Sequence, residues 1–353
     1  MPHHSILALA YRLGSERITY DDIASRFGAE AAAKVLKGSG IRNRYVAAQG
    51  VCGSDLAFEA AHEVFAAHPQ ARGEVDIHIH CTQSPDYFMP TTACLLHEKL
   101  GLKKECASFD INLGCSQYVY ALGIADSMLS TGLGRLALIT TGDTMSHTVH
   151  PKDRALVPIL GDAGSATLVG KAEEGSGFIG FLMGTDGSGA KHLMLPAGGF
   201  RMPITAETAV ETTDAEGNRR APRNFYMNGP AVFHFAITVV PAAVKQLLAQ
   251  LNLSMNDIGL FLFHQANRYM LDYLVKKLAI PPEKTFFFID EVGNTSGSTM
   301  PLVLAEAVRA GKVAPGMKVL MIVFGVGLSW AATVMTTPAC LTAAPADAGE
   351  PAA

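Results

Sequence analysis

Three side chains have the types and settings that nucleophilic chemistry at a thiol would need. Cys115 stands in Asp110-Ile-Asn-Leu-Gly114-Cys115-Ser116-Gln117, where an apolar strand enters, Gly114 permits a sharp turn and a helix leaves. A thiol at a helix N-terminus meets unpaired backbone N–H groups and the positive end of the dipole, which favour a thiolate, and the same turn can aim N–H groups at a developing oxyanion. The competing reading is a buried, inert cysteine, the commonest state of a free thiol. His264 follows the apolar run IGLFLF and opens His264-Gln265-Ala266-Asn267, just past a strand end where α/β folds bind ligands; capping the next helix is the alternative. Asn294 lies in Gly293-Asn294-Thr295-Ser296-Gly297, a loop that can present an amide into a cavity or simply cap a helix. Gly325-Val326-Gly327 after the run VLMIVF allows close backbone approach and a further N–H for an oxyanion, or is a plain strand-end turn.

These residues must be held by a layered α/β frame. Strands are expected at 75–80, 108–113, 136–141, 259–263, 285–289 and 318–324, and helices at 55–67, 93–99, 116–130, 270–278 and 300–309. Alternation of the two implies a mainly parallel sheet with helices on its faces. A weak repeat is present. Small-residue turn, helix, glycine turn, basic residue, apolar strand and glycine recur from Cys115 to LALITTGD and from Gly297 to VLMIVFG. A duplicated unit with a boundary near 170–177 explains it; the bland explanation is that any two βαβ units look alike. Residues 196–228, rich in Gly, Pro, Thr and charge, read as a lid, a binding loop or disorder, and the Ala/Pro tail from Thr342 as disordered.

Composition narrows the class. The chain is 353 residues long and 49% hydrophobic, so it can bury a large core, while 17% charged residues and 34 glycines point to tight packing and a large subunit interface. A formal charge of -4 gives no general affinity for nucleic acid or membrane. No secretory signal and no apolar run able to span a bilayer are read, and six scattered cysteines without a C-x-x-C fit a cytoplasmic protein with reduced thiols. His78 and His80 alternate on one strand face with no third ligand nearby, so no metal is expected.

The order of four stretches is specific: SFDINLGCSQYVYAL, DRALVPILGDAGSATLVG, HQAN and GNTSGSTMPLVLAEAV. On them the chain resembles the β-ketoacyl-acyl-carrier-protein synthase III family, from about Gly40 to about Trp330. The resemblance implies a five-layered α/β/α/β/α thiolase-like fold made of two duplicated halves in a homodimer. Residues 1–172 would carry Cys115, residues 173–340 would carry His264 and Asn294, and 341–353 would be the tail. It implies a decarboxylating Claisen condensation of an acyl-CoA with malonyl-acyl-carrier-protein through an acyl-Cys115 intermediate, with no cofactor beyond the CoA thioester substrate. His264 and Asn294 would stabilise the enolate, and the N–H groups of Cys115 and Val326 the oxyanion. Arg154 would meet the CoA phosphates, and Met227, Gly229, Phe233, Ala266 and Asn267 would line the pantetheine channel. Met89 would limit acyl length across the dimer, and Arg268, Lys276 and Lys277 would dock the carrier protein, with Arg309 and Lys312 as further candidates. The family's aromatic clamp before the GIR motif is missing, Gln117 stands where glycine is usual, and Val326 interrupts an all-glycine turn. Two other readings are an acyltransferase of the same fold acting on oxygen or nitrogen nucleophiles, against which Asn294 argues, and an inactive partner subunit, against which the intact triad argues.

Overall fold

The structure, a computed structural model, describes residues 4–344, and its two main sheets have six and four strands. The first part runs β1 (His4–Leu13), β2 (Glu16–Thr19), α1 (Tyr20–Phe27), α2 (Ala29–Ser39), β3 (Asn43–Val46), α3 (Gly53–Ala67), α4 (Ala71–Glu74), β4 (Ile77–Cys81), α5 (Thr92–Leu100), β5 (Ala107–Ile111), α6 (Gln117–Ser130), β6 (Leu136–Asp143) and β7 (Ala163–Lys171). The second runs β8 (Gly177–Thr185), β9 (Leu193–Met194), β10 (Thr212–Thr213), β11 (Arg219–Arg220), β12 (Tyr226–Met227), α7 (Gly229–Gln250), β13 (Leu260–Phe263), α8 (Arg268–Lys277), α9 (Ile289–Val292), α10 (Thr299–Arg309), β14 (Lys318–Gly325), β15 (Ser329–Thr336) and β16 (Thr342–Ala343).

Sheet one has the order β16-β1-β7-β6-β4-β5 and sheet two β13-β14-β15-β8. The connections match. β5, β4 and β6 are parallel, and β7 and β1 add antiparallel strands beyond β6. In sheet two β13 and β14 are parallel, and β15 and β8 add antiparallel strands beyond β14. Thr285 forms a parallel bridge to Phe261 where β5 would have its counterpart. The strand expected at 285–289 is therefore a single bridge, and the chain turns into α9 at Ile289. A short apolar run at a sheet edge is not distinguished from a buried turn by its periodicity.

Burial of both sheet faces sets the layers. α3 and α5 cover the outer face of sheet one, α6 and α10 lie between the sheets, and α7 and α8 cover the outer face of sheet two, giving the five-layered α/β/α/β/α thiolase-like arrangement. A helix enclosed by two sheets must be apolar all round. α6 meets this with Tyr118, Val119, Ala121, Leu122, Ala125 and Leu129 all buried, and Gly123 leaves room for Met183, whose Cε would lie 2.4 Å from an added Cβ. α7 was not anticipated. Its 22 residues are apolar and long enough, by length and composition, to cross a membrane, contrary to the expectation that no such run exists, yet half of its most apolar window is buried inside the fold.

Residues 196–228 are ordered rather than disordered. β10 pairs with β11 as a hairpin, β12 pairs with β9, and the hairpin is pinned where the Arg220 guanidinium bonds the fully buried Asp153 carboxylate. Thr342 and Ala343, at the start of the expected disordered tail, pair parallel with β1, because its edge offers unpaired backbone groups; residues 345–353 lie outside the described residues.

Candidate active site

Cys115 sits on a single 3-10 turn, Gly114–Ser116, between β5 and α6. Gly114 is left-handed (φ +61°), and a Cβ there would stand 2.4 Å from Gln83 Oε1. Gly325, at the end of β14, presses against the nucleophile: an added Cβ would lie 2.6 Å from Cys115 Cβ and 2.9 Å from Sγ. Two glycines thus let β14 and the loop after β4 close around one thiol. Ser296 and Val326 share the cavity wall with the thiol.

The thiol does not have the lowered pKa expected of a helix N-terminus. Burial, then the negative charge of Asp143, push Cys115 up to about 11, and the hydrogen bonds from Ser296, Val326 N–H and its own N–H offset this only in part. One turn of dipole is outweighed by removal of the thiolate from water.

His264 follows β13, with its N–H donating to Ile322 O at 2.8 Å and its ring edge-on to Phe324 at 5.4 Å. Nδ1 lies 2.6 Å from Thr299 Oγ1, so the helix that follows the Asn294 loop orients the imidazole. Burial drives its pKa down to about 3, which leaves the ring neutral near pH 7. Asn294 is clamped through its backbone, whose N–H donates to Ile159 O and whose carbonyl accepts from Gly161 N, both at 2.9 Å. Its Oδ1 accepts from Ser296 N–H at 3.0 Å, which orients the amide and leaves Nδ2 as the donor.

Cys115, His264 and Asn294 line one cavity of about 740 Å³, within the range that encloses a substrate of cofactor size. Arg154, Met227, Gly229, Phe233, Ala266, Asn267 and Val326 also line it. The 196–228 segment contributes Glu216, Asn218 and Phe225, so of the three readings for it the binding loop fits. Asn267 additionally caps α8, accepting from Met270 N–H at 2.9 Å.

Other expected residues lie elsewhere. Met89 is 78% exposed and is not part of the cavity wall of this chain. Arg268 pairs with Asp272 at 2.8 Å on its own helix and lies over the Phe287 ring, which leaves less of its charge for a docking partner. Lys277 Nζ donates to Ile237 O, and Lys276 lies beside it in the last turn of α8. His78 and His80 are fully buried and share Thr140 Oγ1 at 2.9 Å each; no group able to hold a metal is found among the described residues.

Three site residues escaped the sequence reading. Asp143 ends β6 and is 1% exposed, yet accepts from Gln83 N–H (2.8 Å), Thr82 hydroxyl (3.3 Å), Gln117 Nε2 (3.2 Å) and Gly297 N–H (3.4 Å). Its signal was an acidic residue closing the otherwise apolar run LALITTGD, at a strand end that faces ligands. Ser296 and Thr299 look in sequence like ordinary helix-start residues. Gln117 fills the space that Gly297 leaves open: a Cβ on Gly297 would fall 1.9 Å from Gln117 Nε2. Chemically, the site joins a thiol beneath two N–H donors to a neutral imidazole and an oriented amide inside an apolar channel.

Two family models match the chain: 3-oxoacyl-[acyl-carrier-protein (ACP)] synthase III over residues 109–187, and the C-terminal region of 3-oxoacyl-[ACP] synthase III over residues 248–337. The β-ketoacyl-[acyl-carrier-protein] synthase III of Caldanaerobacter subterraneus subsp. tengcongensis is 35% identical over 84% of this chain and 87% of its own length. A solved 3-oxoacyl-(acyl-carrier-protein) synthase III superposes with a TM-score of 0.92 at 41% identity, covering 95% of this chain and all of that one. The Thermus thermophilus β-ketoacyl-[acyl-carrier-protein] synthase III superposes with a TM-score of 0.84 at 35% identity, over 94% of this chain and 99% of that one.

Proposed function

Because the chain belongs to the 3-oxoacyl-[acyl-carrier-protein] synthase III family, we propose that Cys115, His264 and Asn294 are the catalytic triad of its decarboxylating condensation. The protein is a condensing acyltransferase of fatty-acid biosynthesis. The observation that carries the residue assignment is the convergence of the three side chains in one cavity that Val326 also lines.

The sequence of events follows from that arrangement. An acyl-CoA enters past Arg154, which meets its phosphates, and its pantetheine arm runs along Met227, Gly229, Phe233, Ala266 and Asn267. Cys115 attacks the thioester, the two N–H groups hold the oxyanion, and CoA departs. Malonyl-acyl-carrier-protein then takes the channel. As carbon dioxide leaves, Asn294 Nδ2 and His264 bind the thioester oxygen on which enolate charge develops, and the carbanion attacks the acyl-Cys115 carbonyl. An amide fixed by Ser296 N–H and an imidazole held by Thr299 suit this role, because groups already in place need no reorganisation.

The assignment extends to residues outside the cavity. Residues 1–172 form the half that supplies the nucleophile and 173–340 the half that supplies His264 and Asn294. The enzyme acts in the cytoplasm as a homodimer, in which Met89, exposed beside the Phe88–Phe200 ring pair, limits the acyl pocket of the partner. Lys276 and Lys277, with a smaller part for the paired Arg268, form the docking patch for the acidic carrier protein.

Intact-protein mass spectrometry after incubation with acyl-CoAs from acetyl to long chain tests the reading. The expected result is a stable acyl adduct on the wild type and none on Cys115→Ala. An adduct retained by the variant would refute the nucleophile.

A further inference from the structure

The cavity wall changes character along its length. It is buried at His264 and Phe324, whereas Lys34, Arg154, Glu216 and Tyr269 line it and are exposed, so these four mark its opening. Of the aromatic residues in the wall, Phe225 and Phe324 are buried and Phe233 is half-buried; among the described residues Tyr269 is the exposed one, at 60%. A tyrosine that lines a channel and keeps most of its surface in water leaves an apolar ring face uncovered.

That face is held in place. The Tyr269 ring stacks on Phe233 with centroids 5.5 Å apart and planes 29° apart, and Tyr273 meets Phe233 edge-on at 5.6 Å and 68°. The first turn of α8, on which Tyr269 stands, is fixed where Asn267 Oδ1 accepts from Met270 N–H at 2.9 Å and where the Met270 side chain, 3% exposed, enters the core. A ring covered on one side and ordered beforehand can receive a flat partner on the other at little cost in conformational entropy.

We propose that Tyr269 is the platform on which the adenine base of the acyl-CoA donor stacks. The proposal rests on the reading of acyl-CoA as the donor that loads Cys115. Once the pantetheine arm fills the channel past Phe233, the nucleotide is left at the opening, where Tyr269 lies one ring further out. The charges of the rim suit a nucleotide: Lys34 from α2 and Arg154 supply two cations for its phosphates. Glu216, on the same rim, opposes the phosphates but not the uncharged base. The α2 side of the wall offers Ala31, Lys34, Val35, Gly38 and Ser39, none of them aromatic, so stacking has to come from α8.

The consequence is a division at one opening. Donor and carrier-protein substrate pass the same rim in turn and share the pantetheine arm, but only the donor carries a base. Tyr269 therefore adds affinity for the first substrate and none for the second, and the carrier-borne arm need not compete with a rim built around its own chemistry.

Rapid-quench loading of Cys115 by one acyl group, supplied as its CoA thioester and as its pantetheine thioester, tests the platform, with carbon dioxide release from malonyl-acyl-carrier-protein measured on the same enzyme samples. Tyr269→Ala should load from acyl-CoA about tenfold more slowly at low donor concentration, with the saturating rate unchanged. Its loading from the pantetheine thioester and its carbon dioxide release should stay within about twofold of wild type. Tyr269→Phe and Tyr269→Trp should load from acyl-CoA as the wild type does, because a base stacks on any aromatic face. Equal losses with both thioesters would make Tyr269 a structural residue and overturn the platform. A loss confined to malonyl-acyl-carrier-protein would make it a protein-docking residue and overturn the platform as well, and so would loading of Tyr269→Ala from acyl-CoA within about twofold of wild type. Failure of the wild type to load from any acyl-CoA would overturn the donor reading together with the platform, whereas wild-type loading with no selective effect of Tyr269→Ala would overturn the platform alone.

Discussion

The turn before α6 and the turn before α10 occupy corresponding places in the two sheets, and they solve different problems. Each is a single 3-10 turn, Gly114–Ser116 and Ser296–Ser298, running into a buried helix between the sheets. The first is kept clear. Gly114 and Gly325 make room around Cys115. The second is densely bonded: Asn294, Gly297, Ser298 and Thr299 each hold or are held by a residue of another element. A repeated backbone frame thus carries a reactive atom at one junction and the groups that orient its partners at the other. The two meet at Asp143, which accepts from Gln117 Nε2 beside the first and from Gly297 N–H in the second, while Ser116 bonds Ser329, whose hydroxyl donates to Val326 O and braces the turn after β14.

Filling the clear junction should have the largest effect. Gly325→Ala places a methyl 2.6 Å from Cys115 Cβ, so either β14 or the nucleophile must move. Acyl loading should fall by about 100-fold or more, as expected for a displacement near 1 Å at the reacting atom, with a stability loss of about 1–3 kcal/mol by thermal melting. Loading at the wild-type rate would mean that this junction has slack.

Cutting one bond at the dense junction should do less and should act later in the reaction. Thr299→Val removes the hydroxyl from His264 Nδ1. Carbon dioxide release from malonyl-acyl-carrier-protein is expected to drop about ten- to a hundredfold while loading of Cys115 is nearly unchanged, and Thr299→Ser should restore it. Equal losses in both half-reactions would erase the distinction between the junctions.

A separate effect, on stability and not on either half-reaction, should appear in acid. Burial holds His78, His80 and His264 near 3, below the ordinary imidazole value of 6.5. The unfolded chain therefore binds protons that the folded chain refuses. Stability from neutral burial is fully present above 6.5 and is lost as pH falls from there toward 3, at about 1.4 kcal/mol per pH unit for each histidine. Chemical denaturation from neutral to mildly acidic pH checks this, and a His78→Gln, His80→Gln variant should show a flatter slope if it folds. Stability that does not change in this window would contradict the buried neutral rings.

How much of this was legible in the residues depends on distance along the chain. Cys115, His264 and Asn294 stood out as candidates because each sits at a local junction that reads in a window of ten residues, but each junction alone was equally open to a structural role, and the resemblance of four ordered stretches to a family made them a triad. Asp143 did not stand out, because its meaning comes from Gln117, 26 positions away, and from Gly297, 154 positions away, and neither neighbour marks it locally. Ser296 and Thr299 have the composition of any helix start. The expected thiolate failed for a related reason: a helix terminus is visible in sequence, whereas full burial and a carboxylate from another strand are not. α7 was passed over because a long apolar stretch with Pro241 inside carries little amphipathic period, and β1 because its alanines have low strand propensity that sheet packing overrides. Residues 196–228 gained their order from Arg220 reaching Asp153, 67 positions earlier.

The central claim, that the two junctions divide one reaction between them, is tested most directly by measuring both half-reactions in Asn294→Ala. Acyl transfer to Cys115 is followed by intact mass, and carbon dioxide release from malonyl-acyl-carrier-protein is measured on the same sample. The account predicts a loading rate close to wild type and a decarboxylation rate lower by about 100- to 1,000-fold. Decarboxylation at the wild-type rate, or loss of the acyl adduct itself, would contradict it.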